Sequence, residues 1–308
     1  MTENALLPNN LLPHEPRIVD APRQQFLTER FLLPALASLE ALFLHLRGSV
    51  DAALSAATPV KLGKPYPQGQ CLEITLAVQE MLRDVESQSL PAAAAAGHAA
   101  IGAFLQHGGN GRQVWGVLRG RYFQNAFLFG TLYVDVANDT VVPTKPKVEI
   151  LPFRQAQLTP VRDHCHFALM ASHYWRAHVF PNHVVPELAP YAPIVVLIPG
   201  GSVRLEADTR YMLALTQAGG FSSSAQMLAR APMPDNLFRM MADTLATAGF
   251  AVAQDAAQGK ARGLELCAAY RDEGRRAGDR HQGEMASAVQ KANGELRQLQ
   301  VATRPNGS

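Results

Sequence analysis

The stretch RQVWGVLRGRYFQNAFLFGTLYVDVANDTVV, residues 112–142, decides the fold class of this chain. It is rich in Val, Tyr, Phe and Trp, which favour β-strands, and three glycines interrupt it. We predict strands near 113–119, 121–128 and 131–137, and the short Phe-Gly junction makes the last two a hairpin. The segment VEILPF, residues 148–153, is a further candidate strand.

Helical patterns lie on both sides of this strand-rich stretch. Apolar residues recur at helical spacing from Gln24 to about Ala57, and Pro34 indicates either two helices or one that starts near it. CLEITLAVQEMLRDVESQ (71–88) and LPAAAAAGHAAIGAFLQHGG (90–109) each predict a helix. After residue 160 we predict a helix that Pro181 ends, a short buried strand or extended run in IVVLIPGG (194–201) and further helices. The order of elements therefore predicts an α+β fold.

The chain divides into three predicted parts. Residues 1–22 are rich in Pro and Asn and predict an extended N-terminal arm. Residues 23–255 form the predicted α+β domain, with a core at about 58–155 and a helical extension at about 156–255. Large apolar residues become rare after Tyr270, so we expect residues 256–308 to be a polar, weakly helical or disordered tail outside the core.

Composition excludes several classes of function. The net charge of +2 is too near zero to indicate nucleic acid as the main partner. Three widely spaced cysteines indicate neither a disulfide framework nor a four-cysteine zinc site. The longest apolar stretch, Phe31–Leu46, contains Pro34, Glu40 and His45, so we predict a buried helix and no membrane span. Without a signal-peptide pattern, we expect a cytoplasmic protein.

A candidate nucleophile follows a turn in YPQGQCLEIT, residues 66–75. Cys71 stands at the predicted start of a helix, where free N–H groups and the helix dipole favour a thiolate. A cysteine nucleophile also needs a base, usually His, and a residue that orients this His. The other interpretation of Cys71 is a small buried residue.

The segments PQGQC, QNAF and YVDVAND together resemble the transglutaminase-like group of papain-fold cysteine enzymes over roughly residues 60–142. The resemblance implies a papain- or transglutaminase-like core, in which a helix that starts at Cys71 packs on an antiparallel sheet. It also implies that Cys71 is the nucleophile and Asp135 the orienting residue. The activity implied is that of a thiol-dependent hydrolase or acyltransferase acting on a protein or peptide amide.

The sequence departs from this family where the family has its catalytic His, because Asn125 stands there. An amide cannot accept a proton at neutral pH and cannot serve as a general base. Three interpretations stay open: another histidine is the base, the alignment is wrong, or the fold is kept without the chemistry. The candidate bases are His98, His107, His164 and His166. The third interpretation predicts a non-catalytic binding or scaffold protein with a protein partner.

Five histidines fall within twenty residues, between His164 and His183. Neutral imidazoles bind zinc, iron and nickel, so a metal-dependent enzyme is a further alternative. His166 and His173 would lie two turns apart on a helix, and no pair has the i,i+4 spacing, so we predict no tightly bound metal. Neither a Walker A motif nor a dinucleotide-binding glycine motif is present, and we predict no cofactor.

Overall fold

The computed structural model describes residues 11–61, 63–85, 89–198, 202–206, 209–275 and 280–299. It is an α+β protein, as the order of elements predicted. The chain forms two compact units, His14–Pro160 and a second made of Met1–Pro13 with Val161–Ser308. The single domain expected over 23–255 is therefore divided, close to the boundary expected between its core and its helical extension.

The first unit begins with a long helical run. Helix α1 spans Ala21–Leu27, a π-helical turn spans Thr28–Leu32, a 3-10 turn spans Leu33–Ala35 and α2 spans Leu36–Ala57. Pro34 lies in the 3-10 turn, so α2 starts just after it, which confirms one of the two predicted arrangements. A two-stranded ribbon follows, β1 at Val60–Lys61 and β2 at Lys64–Pro65, and then α3 at Cys71–Asp84 and α4 at Ala92–Gln106.

The predicted strand-rich stretch forms an antiparallel sheet. Its strands are β3 (Gly111–Leu118), β4 (Tyr122–Phe129), β5 (Leu132–Asp135), β6 (Glu149–Pro152) and β7 (Leu158–Thr159), with a short helix α5 (Phe153–Ala156) before β7. The order across the sheet is β6-β5-β4-β3-β7. Phe129 pairs with Leu132 across a two-residue turn, which confirms the predicted hairpin.

The two faces of this sheet bury different residues, because successive side chains of a strand point to opposite sides. One face carries Phe127 and Val134, which pack with Leu42, Phe43 and other apolar residues of the helices in the main core of the unit. The opposite face carries a smaller apolar cluster that includes Val114, Leu128 and Tyr133. The helices therefore cover the face on which Phe127 lies, and α3 contacts β4 there.

The second unit contains a three-stranded antiparallel sheet and six helices among its described residues. The elements are α6 (His164–Tyr174), β8 (His178–Pro181), β9 (Ile194–Leu197), β10 (Val203–Glu206), α7 (Arg210–Ala218), α8 (Ser222–Leu228), α9 (Asp235–Thr247), α10 (Ala256–Asp272) and α11 (Arg280–Leu296). The predicted strand in IVVLIPGG is β9, whereas Gly200 and Gly201 lie outside the described residues. The prediction of a single helix up to Pro181 was wrong, because α6 ends at Tyr174 and β8 follows.

The predicted tail packs against the rest of its unit where the structure describes it. Leu266, Cys267 and Tyr270 of α10 are buried in one apolar cluster, and Val289 and Leu296 of α11 are buried in another. The expectation that residues after about 256 lie outside the core is therefore corrected for these two helices. They have few large apolar residues and bury them on one side, and small residues let α10 approach its neighbours closely. Residues 276–279 and 300–308 of the tail lie outside the described part of the chain, as do residues 1–10 of the arm.

One helical run in the described part of the chain, Ala21–Ala57, is long and apolar enough to cross a membrane by length and composition. Core helices of globular proteins meet the same criteria. Leu39, Leu42, Phe43 and Leu46 in this run are buried in the core of the first unit.

The packing of α10 predicts opposite effects for two glycine substitutions. A Cβ added at Gly259 would lie 1.8 Å from the backbone oxygen of His183, so Gly259→Ala should destabilise the unit by about 1–3 kcal/mol. A Cβ at Gly283, in α11, would meet nothing within 4 Å. Gly283→Ala is the matched control and should stabilise by about 0.5–1 kcal/mol. Urea unfolding measures both, and equal effects would contradict the close packing of α10.

Candidate functional site around Cys71

Two hydrogen bonds, one from the backbone and one from a side chain, hold the turn before Cys71. Gly69 adopts a φ of +73°, which glycine tolerates, and its N–H donates to the backbone oxygen of Thr140 at 3.0 Å. Gln70 is fully buried, and its Nε2 donates to the backbone oxygen of Thr58 at 2.8 Å. Cys71 is then the first residue of α3, as predicted. The position of the thiol is therefore set by the segment after β5 and by the end of α2.

The Cys71 sulfur lies against the amide of Asn125 on β4. Asn125 Nδ2 donates to Cys71 Sγ at 3.7 Å, and Gln113 Nε2 on β3 donates to Asn125 Oδ1 at 3.0 Å. Because its oxygen accepts from Gln113, the Asn125 amide turns its NH₂ group to the sulfur. Both amide residues are buried. The three side chains form one directional chain of donors that ends at the thiol.

The electrostatics of Cys71 differ from the expectation. Burial raises the pKa of the Cys71 thiol above its usual value, and the hydrogen bond from Asn125, which acts in the opposite direction, does not offset the burial. The sequence predicted a lowered pKa from the start of the helix, and this prediction is corrected. The thiol is therefore neutral at pH 7.

Asp135 does not orient Asn125, contrary to the role that the resemblance implied for it. Asn125 and Gln124 are neighbours on β4 and point to opposite faces of the sheet. Asp135 accepts two hydrogen bonds from Gln124 Nε2, at 2.9 and 2.8 Å, and one from the Tyr133 hydroxyl at 2.8 Å. It therefore lies on the face away from Cys71, and Gln113 holds Asn125 instead. Nothing in the three motifs pointed to Gln113, which lies on β3 between the first motif and the second.

The four candidate bases have other surroundings. His98 is in α4, and His107 follows α4 with its Nδ1 2.8 Å from the Ala103 oxygen. His164 and His166 belong to the second unit. Among the residues that the structure describes, the hydrogen-bond partner of the Cys71 sulfur is Asn125.

Three of the five histidines from His164 to His183 have different hydrogen-bond partners. His164 contacts the hydroxyls of Ser223 and Thr216, and His183 Nε2 lies 2.8 Å from the backbone oxygen of Leu228. The Nδ1 of His166 accepts from a backbone N–H at 3.2 Å. Over the described ranges, no group of three or more His, Cys, Asp or Glu residues is arranged to hold a metal ion.

A buried charged network, which the sequence analysis missed, lies beside the turn before Cys71. The guanidinium of Arg47 in α2 is fully buried and donates to both carboxylate oxygens of Asp139 at 2.8 and 3.2 Å, and to Asp51 at 2.7 Å. Asp51 also accepts from the Tyr66 hydroxyl and from Lys147, each at 2.5 Å. The sequence signal was a charged residue on the apolar face of α2, one residue after Leu46.

The charges of this network stabilise one another. Burial alone would lower the pKa of Arg47, but the hydrogen bonds with Asp139 and Asp51 outweigh it and raise that pKa. Burial likewise acts to raise the pKa of Asp51, and hydrogen bonds from Lys147, Tyr66 and Arg47 hold it below its usual value. An adjoining cleft of about 350 Å³ is lined by Arg47, Asp51, Ala52, Ser55, Tyr66, Pro67, Asp139 and Lys147.

Removal of the Arg47 charge should strongly destabilise the protein. Arg47→Met leaves Asp139 buried without its partner, which costs about 3–5 kcal/mol in typical buried pairs. Arg47→Met combined with Asp139→Leu should recover part of this loss, because no buried charge is left unpaired. Arg262→Met, which breaks an exposed ion pair with Glu187, is the control and should change little. Thermal and urea unfolding report the differences, and a small effect of Arg47→Met would contradict the burial of the pair.

Asp135 should make stability depend on pH. Burial raises its pKa to about 6, above the usual 3.8, although Ala137, Tyr133 and Gln124 donate to it. The folded state therefore binds the Asp135 proton more tightly than the unfolded state does. The resulting stabilisation of the fold is complete below about pH 4 and is lost as the pH rises through 6. The free energy of unfolding, measured against that of Asp135→Asn, should fall by about 2.5 kcal/mol between pH 4 and pH 7. A difference that stays constant over this range would contradict the raised pKa.

The site therefore consists of Cys71, Asn125 and Gln113, with the network of Arg47 at the turn that precedes the thiol. Comparison of the chain with protein-family models, with curated proteins and with solved structures gave no match.

Proposed function

We propose that the unit His14–Pro160 is a papain- or transglutaminase-like core that serves as a non-catalytic binding or scaffold module for a protein or peptide partner. The observation that carries the proposal is the 3.7 Å hydrogen bond from the Asn125 amide to the Cys71 sulfur. It puts an N–H donor where a cysteine hydrolase needs a proton acceptor. A cytoplasmic location stays part of the proposal.

The order and placement of elements support such a core. Helix α3 begins at Cys71 and packs against an antiparallel sheet, and the strand that faces the sulfur carries Asn125. The thiol, the facing side chain and the side chain that holds it correspond in arrangement to a nucleophile, a base and an orienting residue. Gln113 would hold Asn125 as an acidic residue or an amide holds an imidazole.

The chemistry of the three side chains supports a module without turnover. Attack on an amide carbonyl needs a thiolate, and the departing amine needs a proton from a general acid. Burial keeps the pKa of Cys71 raised, and a carboxamide neither takes up nor releases a proton near pH 7. Cys71 then acts as a neutral, polarisable side chain that joins α3 to β4.

The second candidate is a thiol-dependent amide hydrolase or acyltransferase. The observation in its favour is that Cys71 is the first residue of a 14-residue helix and accepts an N–H from Asn125. Both features stabilise a thiolate once it has formed. This candidate predicts turnover of glutamine side chains or peptide amides that depends on Cys71.

Alkylation and turnover assays separate the two candidates. We expect Cys71 of the wild type to react slowly with iodoacetamide at pH 7, with no amide turnover. Asn125→His should increase the alkylation rate about tenfold or more, because an imidazolium beside the sulfur stabilises the thiolate. Cys71→Ser supplies the background from Cys165 and Cys267.

Two results would contradict the proposal in different ways. Release of ammonia from a glutamine peptide by the wild type, lost in Cys71→Ser, would identify an enzyme. An Asn125→His variant that folds but leaves the alkylation rate unchanged would remove the papain- or transglutaminase-like arrangement as the basis of the proposal.

A further inference from the structure

A histidine in the second unit lies between two hydroxyl groups. His164, the first residue of α6, is fully buried. Its Nδ1 is 2.8 Å from Ser223 Oγ, and its Nε2 is 3.3 Å from Thr216 Oγ1. Neither contact involves Cys71 or its surroundings, so this group requires its own explanation.

The hydrogen bonds around His164 determine which of its two ring nitrogens carries the proton. The Thr216 hydroxyl donates its single proton to the backbone oxygen of Met212 at 2.7 Å. It can therefore only accept from His164, so Nε2 carries the ring proton. Nδ1 is then an unprotonated acceptor, and the Ser223 hydroxyl donates to it. Burial lowers the pKa of His164 to about 4, which keeps the ring neutral at pH 7.

Ser223 combines access with a fixed orientation. It is the second residue of α8 and is half-buried, whereas the imidazole behind it is not exposed. Its Oγ also accepts from the backbone N–H of His164 at 2.7 Å. A serine oxygen has two lone pairs, so one remains to form a bond. A hydroxyl that donates to a neutral imidazole, which a third group holds in one tautomer, is the arrangement of an activated serine.

We propose that Ser223 is a nucleophile toward activated carboxylic esters, with His164 as the acceptor of its proton and Thr216 as a positioning residue. The bond from Ser223 Oγ to the carbonyl carbon forms, and the bond from that carbon to the leaving oxygen breaks. The hydroxyl proton moves to His164 Nδ1 and then to the leaving group, so the ring returns to neutral. Water releases the acyl group as a carboxylic acid by the same route.

The surroundings also predict that the reaction is slow. An imidazole with a pKa of about 4 is a weak base at pH 7, so the leaving group must be a good one. Aryl esters meet this requirement, and unactivated amides do not.

The test uses p-nitrophenyl acetate and the full chain carrying Cys71→Ser, which prevents acylation of that thiol. Trypsin releases residues 211–230 as one peptide, and fragment masses assign the acetyl group to a serine. We expect acetylation at Ser223, loss of it in Ser223→Ala, and its retention in Ser222→Ala, whose serine is the exposed neighbour. Thr216→Val should cut the acetylation rate about tenfold or more, and Thr216→Ser should restore it.

Several independent results of this experiment could contradict the nucleophilic role of Ser223, and they do not all depend on one variant. No acetyl group at Ser223 of the folded protein, or equal labelling of Ser222 and Ser223, would overturn it. A rate unchanged in Thr216→Val would overturn the role of Thr216. Because Cys71 is absent from the tested chain, neither result depends on the function proposed for the first unit.

Discussion

The first unit depends on one buried cation. The Arg47 guanidinium is removed from water in the middle of α2, and its cost of desolvation is offset only when its donors are all paired. Its partners are Asp139 and the Val136 oxygen after β5, and Asp51 one turn along α2. The helix and the end of the hairpin are therefore held in one relative position, because any displacement would leave a buried charge unpaired.

The same network positions the start of α3. Tyr66 donates to Asp51 at the beginning of the turn that leads to Cys71, and Gly69 donates to Thr140, the residue after Asp139. On the other side of the site, the apolar core packs α2 and α3 against the sheet face that carries Asn125. The thiol thus lies between the charged network of Arg47 and the apolar core of the unit. These two parts of the structure fix the distance from Cys71 to Asn125 without any strong interaction between the two side chains.

The sequence predicted what depends on local pattern. Strand composition, the Gly130 turn and the start of a helix at Cys71 are local signals, and the structure agrees with each. The resemblance also predicted that position 125 faces Cys71, and Asn125 lies against the Cys71 sulfur. The predicted role of Asp135 was wrong because the sheet face on which a side chain lies depends on the register of its strand. A shift of one residue moves every side chain of the strand to the opposite face. The predicted direction of the Cys71 pKa shift was wrong because burial, which depends on the tertiary structure, outweighed the local effect of the helix start.

The contacts that were missed join residues far apart in sequence. Arg47 meets Asp139, and His164 meets Ser223, although no motif links the members of either pair. Conversely, the histidines crowded between His164 and His183 separate, because the segment divides into a helix, a strand and a loop. Proximity in sequence was a poor guide to proximity in space wherever side chains on different elements had to meet.

The direction of the donors at Cys71 has a chemical consequence. Gln113 donates to Asn125, which donates to the sulfur, so each link delivers an N–H toward the thiol. An imidazole at position 125 that accepted the same N–H from Gln113 would turn its own N–H to the sulfur and could not remove the thiol proton. To become a base it would need Gln113 to reverse its amide and accept instead. A carboxamide presents either its NH₂ group or its oxygen, so rotation of the Gln113 amide supplies this acceptor without a second substitution. The site is therefore one substitution, Asn125→His, and one amide rotation away from a complete catalytic relay.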